Sequence, residues 1–152
     1  MKSVPVTLEQ VNASNFIDCF HLELAPEQEH FVSHPIRSLA QAYVYRDQCT
    51  PFAIVHETAI VGYVMVIYDD EEETYNIWHL MVDRRQQGKG YGKAAMDACL
   101  DYIRQKPFGE SDTVLLTCHK DNSIALRLYE QLGFVPTGNV DEDELELALS
   151  LS

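Results

Sequence analysis

Between an apolar segment and a helix-like one, the chain reads Gln87-Gly88-Lys89-Gly90-Tyr91-Gly92-Lys93, with glycines at alternate positions. Glycine lets a backbone approach a ligand closely and turn its N–H groups toward it. Where such a loop opens a helix, the unpaired N–H groups of the first turn and the positive end of the helix dipole favour a pyrophosphate. A P-loop needs GxxxxGK[ST], and that spacing fails after both Gly88 and Gly90. A dinucleotide fingerprint also fails, because from Gly88 the run is GxGxG and Lys93 stands where the third glycine belongs. Short glycine motifs also occur in strand-to-helix turns that bind nothing, so the loop needs a second signal.

That signal lies about thirty residues on, in Asn122-x-x-Ala125-x-x-Leu128-Tyr129-x-x-Leu132-Gly133-Phe134. Asn122 suits a helix N-cap and Gly133 a left-handed stop. Tyr129 shares a face with Ala125 and Leu132, which fits burial, yet its hydroxyl can also donate a proton. Two histidines, His79 and His119, are candidates for a general base, since a free imidazole has a pKa of about 6.5. Each fits packing or surface placement equally well. Trp78 and His79 are neighbours on a predicted strand, so alternation sends one of the two away from any site on that face.

These residues need elements to hold them. Val4–Leu8 reads as a first strand, and helix-spaced apolar residues mark Asn12–Leu24 and Ile36–Arg46. Ser33 and Pro35 suit the start of that second helix. Pro51–His56 and Ile60–Tyr68 form a predicted hairpin, and the acidic run Asp69–Glu73 is the turn into Tyr75–Val82. A helix from Gly90 to Gln105 follows, with Tyr91, Ala95, Ala98, Cys99 and Tyr102 as its buried stripe. Then come a strand at Thr113–Cys118, a helix at Ser123–Leu132, and strands at Phe134–Thr137 and Leu145–Leu151. The order is that of an α/β sheet with helices on both faces. No repeat or linker divides the 152 residues, which are read as one domain.

The two motifs resemble a known family. Gln87-x-x-Gly90-x-Gly92, preceded by Leu80-Met81-Val82-Asp83, is similar to the Q/R-x-x-G-x-G/A signature of GNAT N-acetyltransferases. Asn122 to Phe134 resembles that family's NxxAxxLYxxxGF. The resemblance covers about a third of the chain strongly and the flanking elements more loosely. It implies a mixed six- to seven-stranded sheet splayed between two parallel strands, Tyr75–Val82 and Thr113–Cys118, with acetyl-CoA in the opening and no metal. Leu80, Met81 and Val82 would hold the pantetheine arm, and Gln87, Gly88, Lys89, Gly90, Tyr91, Gly92 and Lys93 the pyrophosphate. Asn122, Ala125 and Tyr129 would complete the cofactor site. A backbone N–H near Met81 would polarise the thioester carbonyl, a donor placed where negative charge develops in the transition state. Tyr129 would protonate the departing thiolate as the acceptor amine attacks directly in a ternary complex. Some relatives carry a glutamate base where Trp78 stands. Trp78 cannot serve, which leaves His79 and His119 as the candidates.

The acceptor is approached through Phe31–Tyr43, which resembles a substrate-side segment of bacterial spermine/spermidine acetyltransferases, as do Ile77–Asp83 and Pro136-Thr137-Gly138. Relatives often carry arginine where His79 stands, so no role of that arginine transfers. With 24 acidic against 11 basic residues, the net charge of −13 argues against nucleic acid and anionic membranes as partners. A small cationic amine fits such a surface, with Glu27, Glu29, His34, Trp78, His119 and the Asp69–Glu73 turn as candidate contacts. An exposed acidic run is also simply a solvated face. The alternatives are acetylation of a protein N-terminus, a lysine side chain or an aminoglycoside, or a CoA-binding sensor without turnover. Dimerisation is common in that family, which leaves a homodimer open. No apolar run approaches a membrane span, and no leader-like segment directs the chain out of the cytoplasm. The four cysteines lack CxxC spacing and read as reduced thiols.

Overall fold

A computed structural model describes residues 4–29, 31 and 34–152. Its strands are β1 (Thr7–Gln10), β2 (Cys49–His56), β3 (Ala59–Asp69), β4 (Thr74–Val82), β5 (Thr113–His119), β6 (Val135–Asp141) and β7 (Glu144–Ser150). Its helices are α1 (Phe16–Phe20), α2 (Pro35–Val44), α3 (Tyr91–Arg104) and α4 (Ser123–Gln131). The strands make one seven-stranded sheet in the order β1-β2-β3-β4-β5-β7-β6. All neighbours are antiparallel except β4 and β5, which run parallel.

Each face of the sheet has its own core, because the strands alternate apolar side chains to both sides. On one face α3 and α4 cover Val64, Val66, Tyr75, Ile77, Val114 and Leu116. On the other, Cys19 of α1 and Ala42 of α2 pack on Tyr63, Met65, Ile67 and Met81. Full burial of a side chain the size of Met96 or Ile103, both 0% exposed, contributes about 1.5–3 kcal/mol. The α3 stripe is turned relative to its sequence reading. Ala94, Met96, Leu100 and Ile103 join Tyr91, Ala95 and Cys99 inside, while Ala98 and Tyr102 are half-buried. Tyr102 keeps its phenol at the edge, where it shares a 3.0 Å hydrogen bond with Thr50 Oγ1.

Helix α1 is far shorter than the predicted Asn12–Leu24. Asn12 and Asn15 exchange backbone and side-chain bonds in a turn, and this local competition delays the helix. The predicted cap at Ser33 lies outside the described residues. Helix α2 is capped by His34, whose Nδ1 accepts from the Ile36 N–H at 3.1 Å. Helix α4 starts at the predicted cap, Asn122, and ends at Gly133, whose φ is +101°. None of the described helices is long and apolar enough to cross a membrane.

Candidate active site

The site exists because β4 and β5 part company. Only Tyr75–Val114 and Asn76–Leu115 are in register, at the start of both strands. That end is fastened by the Tyr75 hydroxyl, which accepts from the Phe108 and Gly109 N–H groups and donates to Gly109 O at 2.7 Å. Further on, β4 is bulged. Met65 pairs with Trp78 but Tyr63 pairs with Met81, so three steps on β4 match two on β3. The extra residue is His79, with φ at +61°. A non-glycine residue there is strained by about 1–3 kcal/mol and persists only where its surroundings hold it.

The bulge corrects the alternation argument. Trp78 packs on the α1–α2 face and His79 bonds to α2, so two successive side chains share one side. Neither turns away: both line the same cavity, and their rings lie 5.7 Å apart.

Two cavities open where the strands diverge. One, of about 310 Å³, lies against the 87–92 loop and is lined by Leu80, Met81, Val82, Gln87, Gly88, Gly90, Tyr91, Gly92, Asn122, Ala125 and Tyr129. The other, of about 590 Å³, holds Trp78, His79 and His119 together with Arg37, Gln41, Cys118, Asp141 and Glu144. Leu80, Asn122 and Tyr129 line both, so the two are arms of one cleft that meet there.

The smaller arm suits a phosphate-bearing ligand. Gly90 caps α3 in the left-handed region, φ +85°, and no side chain caps that N-terminus. The first-turn N–H groups therefore reach the cavity without a protein partner. A Cβ added at Gly92 would meet only Leu128 at 3.6 Å and Val82 at 3.9 Å, leaving room for close approach. Gln87 is structural: its Nε2 donates to Gln28 Oε1 at 2.8 Å and Val82 O at 3.1 Å, tying the loop to β4. Lys89 and Lys93 are not on the cavity wall. They are exposed, bonded to Gln86 at 3.0 Å and Asp97 at 3.4 Å.

At the junction, Tyr129 is 8% exposed and packs edge-on against Phe134 at 6.0 Å. Burial, then the neighbouring Cys118 and Cys99, push its phenol pKa upward, so it stays protonated. No group among the described residues hydrogen-bonds its hydroxyl. Cys118 is pushed up to about 12 by burial and then by Glu144, and stays a thiol.

In the larger arm, His79 Nδ1 meets Ser38 Oγ at 2.7 Å, and Ser38 Oγ meets the buried Tyr63 hydroxyl at 2.7 Å. Burial, then the charge of Arg37, lower the His79 pKa to about 4, so the imidazole is neutral at neutral pH. His119 stacks against Phe31 at 4.8 Å, accepts from the Asp121 N–H at 3.1 Å, and lies 3.9 Å from Asp143. Burial raises the Glu144 pKa above the ordinary carboxylate value, partly offset by His119.

The structure separates the other predicted acceptor contacts from this arm. Glu29 and His34 line a different depression of about 430 Å³ with Glu23 and Arg84. Glu27 is exposed on a 3-10 turn, Pro26–Gln28. The Asp69–Glu73 turn lies at the far end of β4, about 16 Å of strand from the bulge. The acidic residues that do line the arm, Asp141 and Glu144, come from the β6–β7 hairpin. Their only sequence signal was the acidic run Asp141-Glu142-Asp143-Glu144, which reads as an ordinary turn. Among the described residues, no cluster of three His, Cys, Asp or Glu side chains is placed to hold a metal.

Comparison with known proteins agrees with this geometry. The chain is 28% identical over 97 residues to a spermine/spermidine N(1)-acetyltransferase of Bacillus subtilis, covering 60% of this chain and 62% of that relative. It thus spans less than two thirds of the relative's length. A spermidine N-acetyltransferase from Vibrio cholerae, in complex with CoA and spermine, shares the fold at a TM-score of 0.77 and 17% identity, over 96% of this chain and 95% of that one. An aminoglycoside acetyltransferase in complex with coenzyme A superposes with a TM-score of 0.74 at 18% identity, over 96% and 95% of the two chains. Residues 16–134 match the acetyltransferase (GNAT) family, and the chain belongs to it.

Proposed function

We propose that the chain transfers the acetyl group of acetyl-CoA to a primary amine of a small acceptor carrying more than one positive charge, the class of spermine and spermidine. The observation that carries this reading is the meeting of the two arms at Leu80, Asn122 and Tyr129. A pyrophosphate arm and an acidic arm that share one junction suit a ternary complex in which the amine reaches the thioester directly. The protonated Cys118 supports direct attack over an acyl-cysteine route, since the thiolate is the nucleophile.

In this reading the open first turn of α3 binds the pyrophosphate, and backbone groups of Leu80, Met81 and Val82 align the pantetheine. Acetyl-CoA supplies the activated acyl group. The bulge at His79 leaves the backbone near Leu80 and Met81 at the junction, where an N–H stabilises the oxyanion more than the ground-state carbonyl. The Tyr129 hydroxyl donates to the departing sulfur. Burial that raises its own pKa raises that of a thiol held at the same place, so the two stay matched. A protonated amine with a pKa of about 10.4 must lose a proton before attack. Neutral His79, its ring fixed by Ser38, can accept a hydrogen bond from the amine, but a pKa of about 4 makes it too weak a base to hold that proton, which leaves to water. Asp141 and Glu144 favour a cationic acceptor by charge-assisted hydrogen bonds.

The relatives' names support the polyamine class, and the acidic wall is consistent with it. The test is thiol release from acetyl-CoA with spermine, spermidine, a lysine peptide and an aminoglycoside, with the acetylated product identified by mass. Release with no amine by a folded protein that binds CoA would leave only the non-catalytic sensor.

A further inference from the structure

The acceptor arm is lined by both signs of charge. Asp141 and Glu144 come from the β6–β7 hairpin. Arg37 comes from α2, is exposed and, among the described residues, has no ion-pair partner. Arg84, Arg85 and Arg104 each have a carboxylate within 3.0 Å, whereas Arg46 and Arg127, like Arg37, have none among the described residues, but neither of those two lines the arm. What bears on the ligand is the place of Arg37 on the wall of the arm, where its positive charge repels a purely cationic acceptor. One turn along the same helix face, Gln41 lines the arm too, and its Oε1 is buried without a donor. Such an acceptor is costly, and a turn of the Gln41 side chain into the arm would let a ligand N–H satisfy it. His79 adds no second positive charge, because its imidazole is neutral.

We propose that the preferred acceptor is a diamino acid: a short flexible chain with two amines and one carboxylate. Two carboxylates on the hairpin wall face its two amines. The Arg37 fork takes its carboxylate in two parallel hydrogen bonds. Gln41 Oε1 accepts from an N–H beside that carboxylate. A tri- or tetra-amine offers Arg37 only repulsion. This inference rests on the acetyl-transfer reading but moves the preferred acceptor away from spermine and spermidine, to an amine that also carries an anionic group.

Lysine and 1,5-diaminopentane differ only in the carboxylate, so they isolate it. Steady-state thiol release is measured with both, and with spermidine, on wild type and Arg37→Gln. Because a hydrogen bond to a charged group is at stake, lysine is expected to exceed 1,5-diaminopentane by about tenfold in kcat/KM. Arg37→Gln removes that preference and raises the rate with 1,5-diaminopentane, as repulsion is relieved. Equal or better use of 1,5-diaminopentane by wild type overturns the inference, and turnover of spermidine in the same assay shows that acetyl transfer itself survives. A lysine preference that persists in Arg37→Gln overturns it as well, since the carboxylate is then read elsewhere. No release with any amine removes both the inference and the reading beneath it.

Discussion

Replacing Tyr129 with phenylalanine separates chemistry from packing at the junction of the two arms. The ring is 8% exposed and packs on Phe134, and phenylalanine keeps that contact. The hydroxyl it removes has no hydrogen-bond partner within the described protein, so no buried group is orphaned. The stability change should therefore stay within about 0.5 kcal/mol. Catalysis should respond quite differently. A general acid is worth about 10²–10⁴ in rate, and the lower figure is about 2.7 kcal/mol of transition-state stabilisation. Turnover should fall by that factor with little change in KM for either substrate, as expected of a contact made only in the transition state. The assay is thiol release at saturating acetyl-CoA, paired with a thermal melt of both proteins. Because burial pushes the Tyr129 pKa upward, its ionisation also leaves no alkaline limb on the profile near neutrality. Turnover within about threefold of wild type, in a protein of unchanged melting temperature, refutes the acid role and returns Tyr129 to the core.

Gly92→Val should weaken CoA binding by at least about tenfold in calorimetry, since its side chain enters the smaller arm beside Leu128; unchanged affinity would remove the pyrophosphate assignment. Gly90→Val is the poorer probe, because at φ +85° it strains the fold as well. Folded His79 binds its proton only below about pH 4, against 6.5 in the unfolded chain, so stability is full above about 6.5 and falls toward pH 4. Urea melts of wild type and His79→Asn, a residue that tolerates positive φ, should diverge in that window and run parallel above it; parallel curves throughout would contradict the buried neutral imidazole. Changing Asp141 and Glu144 together to Asn and Gln should lower kcat/KM for cationic acceptors by about tenfold or more, while Glu27→Gln with Glu29→Gln has little effect. The reverse ranking in the same thiol-release assay would move the acceptor to the other depression.

Strand and helix identities were legible wherever periodicity was strong. The β2–β3 hairpin, α3, β5 and α4 fall within two residues of their sequence reading, because local apolar spacing and caps fix them. The acidic wall of the site was not legible, for a definite reason. The sequence reading ends this strand at Thr137, and because all seven residues of β6 are exposed, no apolar alternation carries it on to Asp141. Its register on β7 is also interrupted between Pro136 and Val140. Asp141 and Glu144 thus look like a solvated turn until the sheet places them beside β5. Arg37 and Gln41 were hidden in another way: each is ordinary on a helix, and only the fold sets that helix over the cleft.

The bulge is where local and global physics part. Nothing in Ile77-Trp78-His79-Leu80-Met81 announces it, since neither glycine nor proline interrupts the strand. A histidine at φ +61° is disfavoured locally, so the conformation must be imposed by what surrounds it. The Tyr75 clamp closes one end of the β4–β5 pair, and Ser38 holds His79 from α2 at the other. Between them, one extra residue opens the sheet, brings Trp78 and His79 to the same wall, and creates the junction at Leu80. Straightening the strand would return β4 to alternation and send His79 to the opposite face, away from Ser38. The strained residue and the open cleft are therefore one feature, and a hydrogen bond from α2 ties the wall of the larger arm to β4.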